Sequence, residues 1–273
     1  MFDLHCHLLP GIDDGATDLE MALAMARIAV ADGIHTVACT PHIYPGMYDN
    51  NGSGIRAAIQ SLQSELDARG IALRLVEGAD VHLAPDLLDD IRSGRIPTLA
   101  GSRYLLLEPP HHTAPPRFES ALFDLMAAGI TPVITHPERL TWVGPHYDLF
   151  ERLAERGVWM QVTAGALTGR FGGRVKYWGE RFVGDGHCMV LATDAHHPTR
   201  RPPLLAEARE AAALLVGREE AEHMVLTRPA GVVANLDPAS LPGPMGARRG
   251  NRDTRPLQGS VSGNILDRVR RRL

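Results

Sequence analysis

Thirteen histidines occur among 273 residues, and five of them, with four acids, fall where a single metal centre could collect them. His5 and His7 stand two apart, so on an extended chain both side chains point to one side. Asp194 and His196 repeat that spacing late in the sequence. His42 follows Thr40-Pro41, Asp80 follows Gly78-Ala79, and Glu108 precedes Pro109-Pro110. His136 opens His136-Pro137-Glu138-Arg139, and Asp14 lies within Asp13-Asp14-Gly15. Singly these are ordinary features. An HxH pair is commonly structural, Asp-Asp-Gly is by default a turn, Glu108 reads as a solvated strand-end carboxylate, and His42 as a loop histidine. Jointly, none of the nine falls inside a helical stretch and each falls at or just beyond a strand-like run, which favours a polynuclear metal site. Imidazole with carboxylate suits Mn, Fe or Zn, and with no clustered thiolate there is no sulfur-rich zinc site. Nine candidates are too many for one ion. Two or three ions fit, with a carboxylate such as Asp80 bridging a pair. Paired cations acidify a bridging water and clamp both oxygens of an in-line displacement, which points to hydrolysis of a phosphoester.

Elements must bring these residues together. The first 240 residues alternate short β-like runs with helical patterns, as in a parallel sheet with crossover helices. The expected strands cover 2–6, 36–40, 73–77, 104–108, 132–136, 159–162 and 189–193. The expected helices cover 18–31, 54–68, 85–93, 117–128, 147–156, 175–184 and 204–215. Seven strand-helix alternations suggest an α/β barrel whose strand ends open on one face; an open doubly wound sheet is the alternative. No phosphate-cradling glycine motif follows the first strand.

Charge divides the chain differently. Residues 241–273 hold eight arginines and two aspartates, whereas 1–240 hold twenty basic and thirty acidic residues. We read 1–240 as the barrel and 241–273 as a basic, Gly/Pro/Arg-rich, disordered tail. The formal net charge of −4 argues against a nucleic-acid binder. The absence of a long apolar run argues against a transmembrane segment. Cys6, Cys39 and Cys188 form no CxxC pair and suit a reduced, cytoplasmic protein. None of them is followed six positions later by arginine (the residues there are Ile12, Pro45 and Asp194), which excludes a cysteine-phosphatase loop.

The ordered set His5-x-His7, Asp13-Asp14-Gly15, Thr40-Pro41-His42 with Gly46 and Tyr48, Gly78-Ala79-Asp80, His136-Pro137-Glu138-Arg139 and Asp194-Ala195-His196 resembles the polymerase-and-histidinol-phosphatase (PHP) superfamily. Within it the chain is similar to the bacterial manganese-dependent protein-tyrosine phosphatases of capsular and exopolysaccharide operons. The likeness extends to about residue 238 and includes Arg95-Ile96-Pro97-Thr98-Leu99 and Arg201-Pro202-Pro203. It implies a distorted (β/α)7 barrel with a trinuclear centre. By position, one ion would be held by His5, His7, Asp80 and Asp194, a second by Asp80, Glu108 and His136, and a third by Asp14, His42 and His196. Asp80 departs from the resemblance, which has Glu there; the shorter side chain must draw its strand inward or hold fewer ions. His82, two residues on, is read as a polar strand or loop residue. Arg139 and Arg201 stand where the resemblance implies phosphate-binding guanidiniums.

The expected activity is therefore hydrolysis of phosphotyrosine on a polysaccharide-biosynthesis kinase, with Mn2+ as cofactor and a metal-activated hydroxide attacking in line. Peripheral recruitment to a membrane, aided by the basic tail, fits such a partner; the oligomeric state is left open. Two alternatives remain: a PHP phosphatase acting on a small phosphomonoester such as histidinol phosphate or a sugar phosphate, and a non-catalytic, metal-stabilised kinase-binding module. An amidohydrolase also starts with HxH, but the only lysine, Lys176, falls in a helical stretch.

Overall fold

Parallel strands need crossover connections, and here helices supply most of them. The computed structural model describes residues 1–84 and 86–246. Its strands are β1 (Phe2–Cys6), β2 (Thr36–Cys39), β3 (His42–Ile43), β4 (Arg74–Glu77), β5 (Asp80–His82), β6 (Tyr104–Glu108), β7 (Thr131–Thr135), β8 (Trp159–Thr163) and β9 (Val190–Ala192). Its helices begin with α1 (Leu19–Ala31), α2 (Gly52–Ala68), α3 (Leu87–Arg92), α4 (Phe118–Ala127) and α5 (Tyr147–Glu155). They continue with α6 (Ala164–Leu167), α7 (Gly173–Gly184), α8 (Ala206–Val216), α9 (Arg218–Glu222) and α10 (Arg228–Val233). The strands pair in parallel as β1-β2-β4 and as β3-β5-β6-β7-β8-β9.

Each expected strand is present. The short strands β3 and β5 were not anticipated; they continue β2 and β4 after breaks at Thr40-Pro41 and Gly78-Ala79. Proline has no N–H for the ladder, so Pro41 interrupts pairing there. Gly78 lies against the same break: a Cβ on it would stand 2.9 Å from Thr40 Cγ2 and 3.0 Å from Leu99 Cδ2. The expected helices are also present, with ends shifted by one or two residues. Asp18 caps α1 by accepting from the Met21 N–H, and Asn51 caps α2 by accepting from the Gly54 N–H. The helical run from Arg218 to Val233, including a wide turn over His223–Thr227, was not expected.

One face of the strands carries Leu4, Ala38, Val76, Tyr104, Leu106, Val133, Trp159 and Val190, packed together with Val232 of α10. The other face packs on the helices through residues such as Val37, Leu75, Leu107, Ile134, Met160 and Leu191. The last strand also meets the first. Cys6 and Ala195 form an isolated parallel bridge, and the Asp194 N–H donates to His5 O at 2.7 Å. The buried Asp3 carboxylate spans the same seam, accepting from the Thr193 N–H and hydroxyl. Among the described residues this join is a bridge and not a ladder. Residues 241–246 stay on the body of the fold, where Arg228 donates to Pro242 O and Gly243 O. The rest of the tail lies outside the described residues. All three cysteines are buried and free of disulfides.

Candidate metal centre

Parallel strands present all their C-terminal ends on one side, and the histidines and acids gather there. His5 belongs to β1 and His7 follows it; His42 opens β3, Asp80 opens β5, Glu108 ends β6, and His136 follows β7. Asp194 and His196 follow β9. Two of these positions hold unusual backbone: His136 (φ 31°) and Asp194 (φ 50°) are both left-handed. Non-glycine residues avoid that region, and it recurs where a site fixes a side chain's aim. Among the described residues, groups of donor atoms that converge closely enough to share a cation include His7/Asp14/His42/His196, His5/His7/Asp80, His5/His136/Asp194, His42/His82/Glu108 and Glu108/His111/His136. All nine residues expected from the sequence therefore lie in one connected cluster.

The histidines are aimed by acceptors on their outer nitrogens. His5 Nδ1 lies 2.9 Å from Gln161 Oε1, His7 Nδ1 lies 2.7 Å from Asp13 Oδ2, and His196 Nδ1 lies 2.9 Å from Asp194 O. An acceptor at Nδ1 selects the Nδ1–H tautomer and leaves the Nε2 lone pair for a cation. The Nε2 atoms of His5 and His7 are 3.2 Å apart and both face Asp194 Oδ1, at 3.4 and 3.5 Å.

Asp80 supplies the test of fit. It is fully buried, and among the described residues neither of its oxygens has a hydrogen-bond partner. A buried carboxylate without donors is costly unless a cation compensates it. Its Oδ2 stands 3.5 Å from His5 Nε2 and 3.6 Å from His42 Nδ1, between two imidazoles. The donor set and these orphaned atoms fit divalent cations.

Electrostatics follow from the crowding. Burial opposes charge on His7, but Asp13 and Asp194 outweigh it and raise its pKa to about 10. Burial also opposes charge on Glu108 and Asp194. Glu108 is nevertheless held far below the usual carboxylate range by His111, His82, His136 and His42, and Asp194 by His5, His7, Arg201 and Arg139. His136 is driven well down by burial and by Arg139, which keeps its ring neutral.

Arg139 and Arg201 both reach Asp194. Arg139 pairs with Asp194 Oδ2, not with its neighbour Glu138, and Arg201 meets the same oxygen at 2.5 Å and Asp194 O at 2.9 Å. Both guanidiniums also lie over the Phe171 ring. Asp194 is thus two-sided, with Oδ1 toward the histidines and Oδ2 toward the arginines. Beside the cluster opens a cleft of about 700 Å³, lined in part by Tyr44, Met47, Tyr48, His82 and His111. Lys176 lies on α7, 3.8 Å from Glu180.

Sequence reasoning missed five residues. Asp13, taken as part of a turn, is the acceptor for His7 and also accepts from the Gly15 and His42 N–H groups. Gln161 carried no motif, although its period-two register with Trp159 on β8 puts it on the same interior face of the strand as that residue. Asp3 ties β1 to Thr193. His82 Nε2 lies 2.8 Å from Glu108 Oε2, which corrects its reading as a plain polar residue. His111 Nε2 lies 3.2 Å from Glu108 Oε1.

Parallel strands ending in clustered imidazoles and carboxylates, with two arginines beside them, define a metal-binding α/β protein built for an anionic substrate. Residues 1–234 match the family model described as capsular polysaccharide synthesis, CpsB/CapC, and the chain belongs to this family of PHP-superfamily metal-dependent tyrosine phosphatases. It is 35% identical to the tyrosine-protein phosphatase YwqE of Bacillus subtilis over 201 residues, covering 74% of this chain and 79% of that protein. It is 28% identical to the tyrosine-protein phosphatase CpsB of Streptococcus pneumoniae over 240 residues, covering 85% and 98%. Among solved structures, it superposes with a TM-score of 0.83 and 32% identity on one from a crystallographic study of YwqE and CpsB as unique metal-dependent tyrosine phosphatases. That match covers 87% of this chain and 96% of the other.

Proposed function

We propose that the protein is a metal-dependent phosphatase that removes phosphate from tyrosine residues of a polysaccharide-biosynthesis kinase. The observation that carries this reading is the donorless, buried Asp80 carboxylate among imidazoles, with Arg139 and Arg201 alongside. His5, His7, Asp80 and Asp194 would hold one cation, Asp80, Glu108 and His136 a second, and Asp14, His42 and His196 a third. Mn2+ is our choice of ion, with Fe and Zn compatible with the same donors. Bound cations supply charge neutralisation at the phosphoryl oxygens and an acidified water as nucleophile.

The chain's own residues do the rest. Arg139 and Arg201 take the substrate's phosphoryl oxygens, where a planar guanidinium makes paired hydrogen bonds. Asp194 Oδ2 and Phe171 hold both guanidiniums ready. Gln161, Asp13 and the Asp194 carbonyl keep the histidine tautomers fixed. The cleft beside Tyr44, Met47 and Tyr48 suits an aromatic side chain presented by a protein; Tyr44 and Met47 are exposed there. A tyrosine hydroxyl has a pKa of roughly 10, so phenolate departs without a strong general acid.

We also propose a distorted (β/α)7 barrel, a reading supported by the Cys6–Ala195 bridge and the Asp3–Thr193 bonds between the first strand and the segment after the last. We place the barrel domain at 1–240, with 241–246 packed on it through Leu241 and the Arg228 bonds, and the basic tail after them. Among the described residues no helix is long and apolar enough to cross a membrane. We propose a cytoplasmic enzyme recruited to a membrane-associated kinase. The test is phosphate release from a phosphotyrosine peptide, set against a phosphoserine peptide and a panel of small phosphomonoesters. Mn2+-dependent turnover that favours phosphotyrosine is expected. Activity that survives EDTA, or that is unchanged in the double variant His5→Ala/Asp194→Ala, overturns the reading.

A further inference from the structure

Glu108 is contacted by two histidines that lie outside the nine-residue set, one on each carboxylate oxygen. Ligand atoms about 2.1 Å from a shared cation stand about 3.0 Å apart at a right angle and about 3.4 Å apart at a tetrahedral one. His111 Nε2 lies 3.2 Å and His136 Nε2 lies 3.5 Å from the same oxygen, Glu108 Oε1. The three donor atoms lie close enough together to hold one ion. His82 Nε2 lies 2.8 Å from Glu108 Oε2, shorter than either spacing for two ligands of one ion, although its donor atom also groups with those of His42 and Glu108.

The loop that carries His111 is fixed. Its carbonyl accepts from both the Thr141 N–H and the Thr141 hydroxyl, at 2.9 and 3.1 Å. The Trp142 indole N–H donates to Pro110 O at 2.9 Å. The imidazole is therefore delivered to Glu108 by a pinned backbone, with 30% of its side chain open to the cleft.

Resting on the phosphatase reading above, we propose that His111 is a protein ligand of the cation held by Glu108 and His136, and that His82 is the residue that positions Glu108. With Asp80 and Glu108, the position would then offer two imidazoles and two carboxylates, a donor set suited to Zn, Fe or Mn. Because His111 lines the cleft, its nitrogen would approach a cation at Glu108 from the cleft side. Asp80 turns its Oδ2 toward His5 and His42, and His111 would add a donor beside Glu108.

The test uses the full-length protein, stripped of metal and then titrated with Mn2+ for stoichiometry and with Co2+ for its visible absorption. Loss of partners that only support a ligand costs metal sites about 10–100-fold in affinity, and loss of a ligand costs at least that. In His111→Ala, the dissociation constant of one Mn2+ position is expected to rise at least about tenfold, with weakened and shifted Co2+ bands. His112→Ala is expected to match the wild type. His82→Ala is expected to lower affinity while keeping the Co2+ band positions, and His82→Gln, which keeps an N–H donor, to restore it. Circular dichroism of stripped His111→Ala and His111→Asn checks that the fold is intact. If wild type holds cations and both His111 variants match it in stoichiometry and spectrum, the assignment is overturned while the phosphatase reading stands. If wild type holds none, both fall.

Discussion

A neutral imidazole carries one proton and one lone pair, so the metal-binding capacity of a histidine is decided by what faces its other nitrogen. Here the deciding residue for His7 is Asp13, 2.7 Å from Nδ1 and also the acceptor for two backbone N–H groups. Replacing Asp13 with Ala frees the ring to rotate and leaves the Gly15 and His42 N–H groups without this acceptor. We expect Asp13→Ala to weaken Mn2+ activation by about 10–100-fold, with Asp13→Asn recovering part of the loss through its side-chain oxygen. An Mn2+ titration of phosphotyrosine hydrolysis measures this, and equal half-saturation in wild type and Asp13→Ala would remove Asp13 from the centre. At this scale the nine candidate ligands were legible because they sit at strand ends in order along the chain. Their supports were not. Asp13 has the same local signature as any turn aspartate, and Gln161 meets His5 across 156 residues of sequence, a relation that only the strand order creates.

Elements decide whether the ligands arrive in register. The loop after β1 has to fold back so that Asp13 and Asp14 face His7, and Gly15 permits the approach: a Cβ there would stand 2.2 Å from His7 O and 2.5 Å from His7 Cβ. Backbone and a strand-end side chain cannot yield as a flexible side chain does. Gly15→Ala is therefore expected to push the loop outward, destabilising the protein by about 1–3 kcal/mol and lowering metal content. Denaturant melts with elemental analysis of the same samples test this; an unchanged midpoint and full metal content would mean that the loop has slack. The same close contacts explain what could be read of the fold in advance. Alternating apolar runs announced the main strands, and Asp18 announced the start of α1. The continuation strands β3 and β5 escaped because two or three residues carry no periodicity, and Pro41 and Gly78 look like terminators. They act instead as interruptions, across which Asp80 N–H bonds Pro41 O at 3.2 Å. The run from Arg218 to Val233 escaped because its one strong feature is a charged residue, Arg228, at a position where an apolar one is expected.

Across the whole molecule, charge is buried at both ends of the strands, and the two ends are stabilised differently. At the N-terminal end of β9, fully buried Arg228 donates to Met189 O, Pro242 O, Gly243 O and the buried Glu220 carboxylate, so its charge is compensated inside the protein. Arg228→Met strands Glu220 and is expected to cost about 3–5 kcal/mol, with Glu220→Gln in the same chain recovering part of it. Thermal melts of the single and double variants decide this; a double variant no more stable than Arg228→Met would deny the pairing. At the C-terminal ends, Asp14, Asp80, Glu108 and Asp194 converge where the first strand meets the segment after the last, and there the histidines, Arg139 and Arg201 supply part of the compensation and bound cations would supply the rest. An ion that binds only the native state stabilises it by about 2.7 kcal/mol at a hundredfold excess over its dissociation constant. In a domain of this size that corresponds to about 5–10 °C in melting temperature. Chelation with EDTA is therefore expected to lower the melting temperature by that order. The loosening should be local: amide exchange should accelerate at His7 and Asp194, whose N–H groups close the seam, and stay slow in the strand segments packed against Arg228. Uniform acceleration would mean that the cations support the whole fold, and an unchanged melting curve would mean that the strand ends stay closed without them.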